Sequence, residues 1–151
     1  MRLIAHKGNI NGPDPERENT IPYIEDALSK GYDVEVDIRY DVVKQEFWLG
    51  HDNPDNLVTI DWLTKHGSRL WIHCKDIFTF DIFSTRFGDF NYFWHDQDDY
   101  TLTSRQRIWA FPGKTYTRNT VVVMPESVGI DFDTLKVTGC FGVCSDYVGK
   151  L

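Results

Sequence analysis

The sequence predicts one α/β domain built on parallel strands, and three observations carry that expectation. As far as Trp94, short apolar runs rich in β-branched and aromatic residues alternate with helical or loop-like runs. The chain has 151 residues, the size of one domain, and 41% of them are hydrophobic, enough for a compact core. The residues that follow the strand-like runs are polar in a consistent way, as they are where parallel strands deliver functional groups to one end of a sheet.

Leu3-Ile4-Ala5 is the first strand. Thr20 then caps a helix that tolerates Pro22 in its first turn; Ile21, Ile24, Ala27 and Leu28 form its apolar stripe and Gly31 ends it. Asp33 to Ile38 is the second strand, and Phe47-Trp48-Leu49 is a short extension leading to Gly50-His51-Asp52. A short helix covers Thr59 to His66 and stops at Gly67. Leu70 to Cys74 is the third strand, Ile77 to Phe87 a helix capped by Asp76, and Asn91 to Trp94 the fourth strand. Beyond it, helical periodicity nearly vanishes. Ile108 to Phe111, Thr120 to Met124 and Phe141 to Cys144 read as strands joined by loops or single turns.

These runs lead into His6, Asp37, Lys75, His95-Asp96, Pro112-Gly113, Glu126 and Ser145-Asp146. A doubly wound sheet would place a Gly-rich phosphate loop after the first strand, and His6-Lys7-Gly8-Asn9 lacks that fingerprint. The expectation is therefore a compact, TIM-barrel-like (β/α)8 domain over residues 1–151, with outer helices reduced or missing and one strand short of eight. Such a barrel would leave strand edges bare, which favours covering them in a homodimer.

A net charge of -7 argues against general nucleic-acid binding. Three cysteines, Cys74, Cys140 and Cys144, follow no pairing pattern and suit a reducing compartment. With a strand beginning by Leu3 and no apolar run near the ~20 residues of a membrane helix, the expectation is a soluble, cytoplasmic protein without a signal peptide.

Val34-Glu35-Val36-Asp37-Ile38 carries the most specific signal. Strand side chains alternate, so Glu35 and Asp37 share one face. Two carboxylates side by side in an apolar strand repel and resist desolvation unless a cation joins them, and a divalent metal with oxygen ligands fits. Ala5-His6-Lys7-Gly8 precedes this strand and Gly50-His51-Asp52 follows it. Histidines beside metal-binding carboxylates supply general acid-base chemistry. Lys7 and Lys75 are the cations nearest in pattern for an anionic substrate.

In order along the chain, Ala5-His6-Lys7-Gly8, Arg17-Glu18-Asn19-Thr20, Glu35-Val36-Asp37, Gly50-His51-Asp52, His73-Cys74-Lys75 and Gly142 to Asp146 resemble the motifs of the glycerophosphodiester phosphodiesterase family. That family belongs to a wider superfamily with phosphatidylinositol-specific phospholipase C. The resemblance implies cleavage of a small-molecule phosphodiester, with His6 and His51 catalytic and Glu35, Asp37 and His73 holding one metal ion. Lys7, Lys75 and Glu18 would contact phosphate or support the loop. Glu18 either coordinates or fixes the loop by hydrogen bonding. Lys7 stands where the family has Arg and lacks the two-pronged grip of guanidinium. His73 stands where the family has a third Glu. Mg²⁺ or Ca²⁺ is implied by resemblance, and the imidazole brings Mn²⁺ or Zn²⁺ into range. A substrate hydroxyl or water could attack, so hydrolysis and release of a cyclic phosphate both stay open. So does a catalytically inactive barrel that binds a phosphoryl ligand.

Ordinary alternatives exist for several of these residues. Glu35 and Asp37 could form a solvated strand face, and His73 a buried histidine bonded within the barrel. His95 to Asp99 reads as a substrate-contacting or merely solvated loop, and Asp146 as a site residue or a cap. Trp94, Trp109 and Phe111 read as core, and Cys74 as packed outward against a helix.

Overall fold

The computed structural model describes residues 1–151. Its elements are β1 (Arg2–His6), α1 (Ile21–Ser29), β2 (Asp33–Asp41), β3 (Glu46–Leu49), β4 (Asn56–Val58), α2 (Ile60–His66), β5 (Leu70–Cys74), α3 (Ile77–Arg86), β6 (Tyr92–Trp94), β7 (Tyr100–Leu102), β8 (Ile108–Ala110), β9 (Thr120–Val123), α4 (Phe132–Thr138) and β10 (Gly142–Ser145). One mixed sheet contains all ten strands. Its parallel part runs β6-β5-β2-β1-β10-β9-β8. The antiparallel strands β3 and β4 extend from the far half of β2, and β7 pairs with β8.

This corrects the expected (β/α)8 barrel. The sheet curls but stays open, because β6 pairs with β5 alone and β8 with β7 and β9. Helices do not alternate with strands either: β6 reaches β8 through the β7 hairpin, and β8 reaches β9 through a loop. The two ends of the parallel arc meet mainly through side chains. The Phe93 ring of β6 lies 4.4 Å from the Trp109 ring of β8. Ser104 clips the gap by donating its N–H to the Tyr92 carbonyl oxygen at 2.9 Å and accepting the Tyr92 N–H at 3.0 Å. One such clip is not a ladder, so the curl is held by packing rather than by closure.

The period of two sorts the core into two layers. Ala5, Val34, Val36, Ile38, Leu70, Ile72 and Cys74 face the helices and pack with Ile24, Leu63 and Phe83. Ile4, Trp71, Phe93, Trp109, Val121 and Cys144 fill the concave face. Toward the downstream end of the strands that concave face turns polar.

Local chemistry explains the helices. The Asp76 carboxylate accepts the Thr79 N–H at 2.7 Å at the start of α3, and the Thr59 hydroxyl accepts the Trp62 N–H at 3.2 Å at the start of α2. Thr20 precedes α1 without a side-chain cap. The sequence reading missed α4, because only Leu135 of that short helix is fully buried and its periodicity is faint. Trp109 is core, whereas Trp94 and Phe111 are 39% and 44% exposed, against expectation. No helix is long and apolar enough to cross a membrane.

Candidate active site

Strand register builds the site. β1 sets His6 beside Glu35, and β5 sets His73 beside Asp37. Glu35 and Asp37 are 2% and 1% exposed, and they share the concave face with His73. Ligand atoms of Glu35, Asp37 and His73 all lie within 4.8 Å of one another. His73 Nδ1 is 3.5 Å from Glu35 Oε1 and 3.2 Å from Asp37 Oδ1. Its Nε2 donates to the main-chain oxygen of His95 at 2.8 Å. The ring stacks on Phe93 with centroids 5.1 Å apart.

The two outer histidines occupy opposite flanks. His6 Nδ1 lies 2.8 Å from Asp146 Oδ1, and its Nε2 lies 3.9 Å from Glu35 Oε2. His51 Nδ1 lies 3.1 Å from Asp37 Oδ2, with the ring 48% exposed. Gly50 precedes it at φ 152°, where any Cβ would collide with the Asn53 carbonyl oxygen.

Lysines balance the acids. Lys75 Nζ is 3.4 Å from Asp37 Oδ1 and 3.4 Å from His51 Nδ1. Lys7 Nζ is 3.4 Å from Glu18 Oε2. Glu18 also accepts from Asn9 Nδ2 at 2.8 Å, so it ties the loop after β1 and stands outside the Glu35-Asp37-His73 group. His95 pairs with Asp98 at 3.1 Å and leans on Phe111; its carbonyl, rather than its ring, serves His73.

Three contributors went unassigned in the sequence reading. Asn19, at φ 55°, donates to Asp37 Oδ2 at 2.9 Å and accepts the Asp37 N–H at 3.0 Å. It sits inside the Glu18-Asn19-Thr20 run, and that placement was the available signal. Asn9 is fully buried and donates to both Glu18 and Asp146. Glu126 accepts the Asp146 N–H. Glu126 stood among the polar residues at the strand ends and Asn9 beside His6-Lys7-Gly8, but neither had a role there, because both act on Asp146, which only the fold brings to them.

Burial resists charge throughout this cluster, yet the partners outweigh it. For His73, hydrogen bonds to Asp37 and Glu35 overcome desolvation and raise the imidazole to about 9. Asp37 is buried too, but His51, His73 and Lys75 hold its carboxyl well below the usual range. His6 is raised against its own burial by Asp146 and Glu35, and Lys7 by Asp37, Glu35 and Glu18. Asp146 is lowered, burial notwithstanding, chiefly by its hydrogen bond to His6.

The donors suit a divalent cation. Asp37 Oδ1 is buried and has no well-aimed hydrogen bond, although His73 and Lys75 lie close. The His95 carbonyl can only accept, so the proton of a neutral His73 sits on Nε2 and its Nδ1 lone pair faces the carboxylates. Metal-binding histidines carry that second hydrogen bond. Comparisons of the chain with family models, with curated proteins and with solved structures yield no match.

Proposed function

We propose that the protein is a metal-dependent phosphodiesterase acting on a small-molecule, glycerophosphodiester-like substrate. The observation that carries the reading is the group Glu35, Asp37 and His73, gathered within 4.8 Å and flanked by His6 and His51. These three residues would hold one divalent ion, which when bound supplies Lewis-acid stabilisation of a phosphoryl oxygen. His6, held by Asp146, has the base-and-orienter arrangement of an acid-base dyad. It takes the proton of the attacking hydroxyl as the new P–O bond forms. His51 is more open to solvent and protonates the leaving alkoxide as the old P–O bond breaks. Lys7 and Lys75 add positive field for the anion. Three free thiols accord with a cytoplasmic, reducing location.

A second reading has one observation in its favour. With His73 raised to about 9, its imidazolium and Lys75 already offset Glu35 and Asp37 without an ion. That arrangement fits a module that binds a phosphoryl ligand without cleaving it.

Hydrolysis of bis(p-nitrophenyl) phosphate with Mg²⁺, Mn²⁺ or Ca²⁺ separates the two. The first reading requires turnover that EDTA abolishes; turnover indifferent to EDTA ends the metal proposal. Phosphorus NMR of a glycerophosphodiester reaction distinguishes a free monoester from a cyclic phosphate. A crystal soaked in Mn²⁺ should show anomalous density between Glu35, Asp37 and His73, and empty density there favours the binding module.

A further inference from the structure

We infer that Glu126 is a positioning residue that acts on His6 through Asp146. This rests on the reading of His6 as the proton-transfer group. The chain of contacts is short, and Asp146 at its centre is buried while Glu126 and His6 at its ends are half-buried. After β9 the backbone turns at Met124, φ 46°, into a single 3-10 turn, Pro125–Val128. The Met124 N–H donates to the Cys144 carbonyl oxygen at 2.8 Å, which ties this turn to β10. Glu126 is thereby brought over the end of β10. Its Oε1 accepts the Asp146 N–H at 3.0 Å and the Ser145 hydroxyl at 2.8 Å. The other face of Asp146 meets the catalytic side: Oδ1 lies 2.8 Å from His6 Nδ1 and 2.8 Å from Asn9 Nδ2.

One oxygen of Glu126 performs both tasks. Its Oε2 is buried and has no partner. The position therefore requires an acceptor at the Oε1 point rather than a charge, and an amide of the same length would serve. Holding the Asp146 backbone fixes the carboxylate that holds His6 Nδ1–H. The Nε2 lone pair is then presented to the concave face beside Glu35. No covalent step involves Glu126.

The test has two readouts on the full chain. Nitrogen-15 NMR at alkaline pH, where the ring is neutral, reports the His6 tautomer without any need for activity. Turnover of bis(p-nitrophenyl) phosphate reports kcat and KM. Wild type should show His6 as the single Nδ1–H tautomer. Glu126→Ala should mix the tautomers and lower kcat by ~10–100-fold with KM little changed, the scale of a supporting hydrogen bond removed behind a site residue. Glu126→Gln should restore both readouts. Glu126→Asp keeps the charge but falls one methylene short of the Asp146 N–H, so it should behave as Glu126→Ala. It also decides the matter if Glu126→Ala does not fold. An unmixed tautomer in Glu126→Asp, or a Glu126→Gln variant as impaired as Glu126→Asp, overturns the inference. Absence of phosphodiesterase turnover in wild type sinks the functional reading alone, and the tautomer comparison still tests Glu126.

Discussion

His73 Nε2 sits 2.8 Å from the main-chain oxygen of His95, which fixes a proton on that nitrogen and aims Nδ1 at Asp37 and Glu35. The same ring can therefore hold either a second proton or a cation on Nδ1, and the two compete.

The competition sets a pH dependence. Without metal, the folded state raises His73 from 6.5 to about 9. A raised histidine stabilises the fold fully below pH 6.5, and that stabilisation fades as pH climbs through about 9. His6 is raised too and adds a loss of the same sign. With EDTA present, Tm should fall across this window, and a flat Tm there would remove the buried imidazolium. Mn²⁺ affinity should rise over the same window, with about one proton released per ion. Calorimetry in buffers of different ionisation enthalpy measures that proton.

Loss of either outer histidine should strike turnover. His6→Ala and His51→Ala should each lower kcat by ~10²-fold or more. Neither ring belongs to the Glu35-Asp37-His73 group, so Mn²⁺ binding should survive in His6→Ala. Near-normal turnover in a variant removes that histidine from the chemistry.

Asn19 secures Asp37 by two hydrogen bonds from a backbone conformation, φ 55°, that asparagine tolerates better than most residues. Asn19→Ala should cost about 1–3 kcal/mol by leaving the buried Asp37 N–H unpaired. Urea unfolding measures the loss, and an unchanged midpoint would show that the pair contributes nothing.

The open side of the curl depends on Phe93. Its ring is fully buried, 4.4 Å from Trp109 and stacked on His73. Phe93→Ala should destabilise by about 3–5 kcal/mol. It should also weaken Mn²⁺ binding, because His73 loses the surface that holds its ring. Stability lost with metal affinity unchanged would separate the packing from the site.

The concave cluster was legible in part because local rules create it. A period of two places Glu35 with Asp37, and His73 with Lys75, on one face wherever those strands lie. The polar ends of the apolar runs likewise pointed to His6 and Asp146. Asn19 was visible as part of a run but without a task, since its task depends on which strand the loop folds against.

Local sequence determined the strand-forming runs other than β4 and β7, the Asp76 cap of α3, and the pairing of acids and bases by face, because each depends on neighbours a few residues apart. Tertiary structure alone decided that the curl stays open, since closure requires β6 and β8 to form a ladder and their side chains meet instead. It alone joined His6 to Asp146, 140 residues away, and Asp146 to Glu126. Contacts between residues so distant in sequence exist only once the strands are ordered side by side, and no short-range periodicity encodes that order.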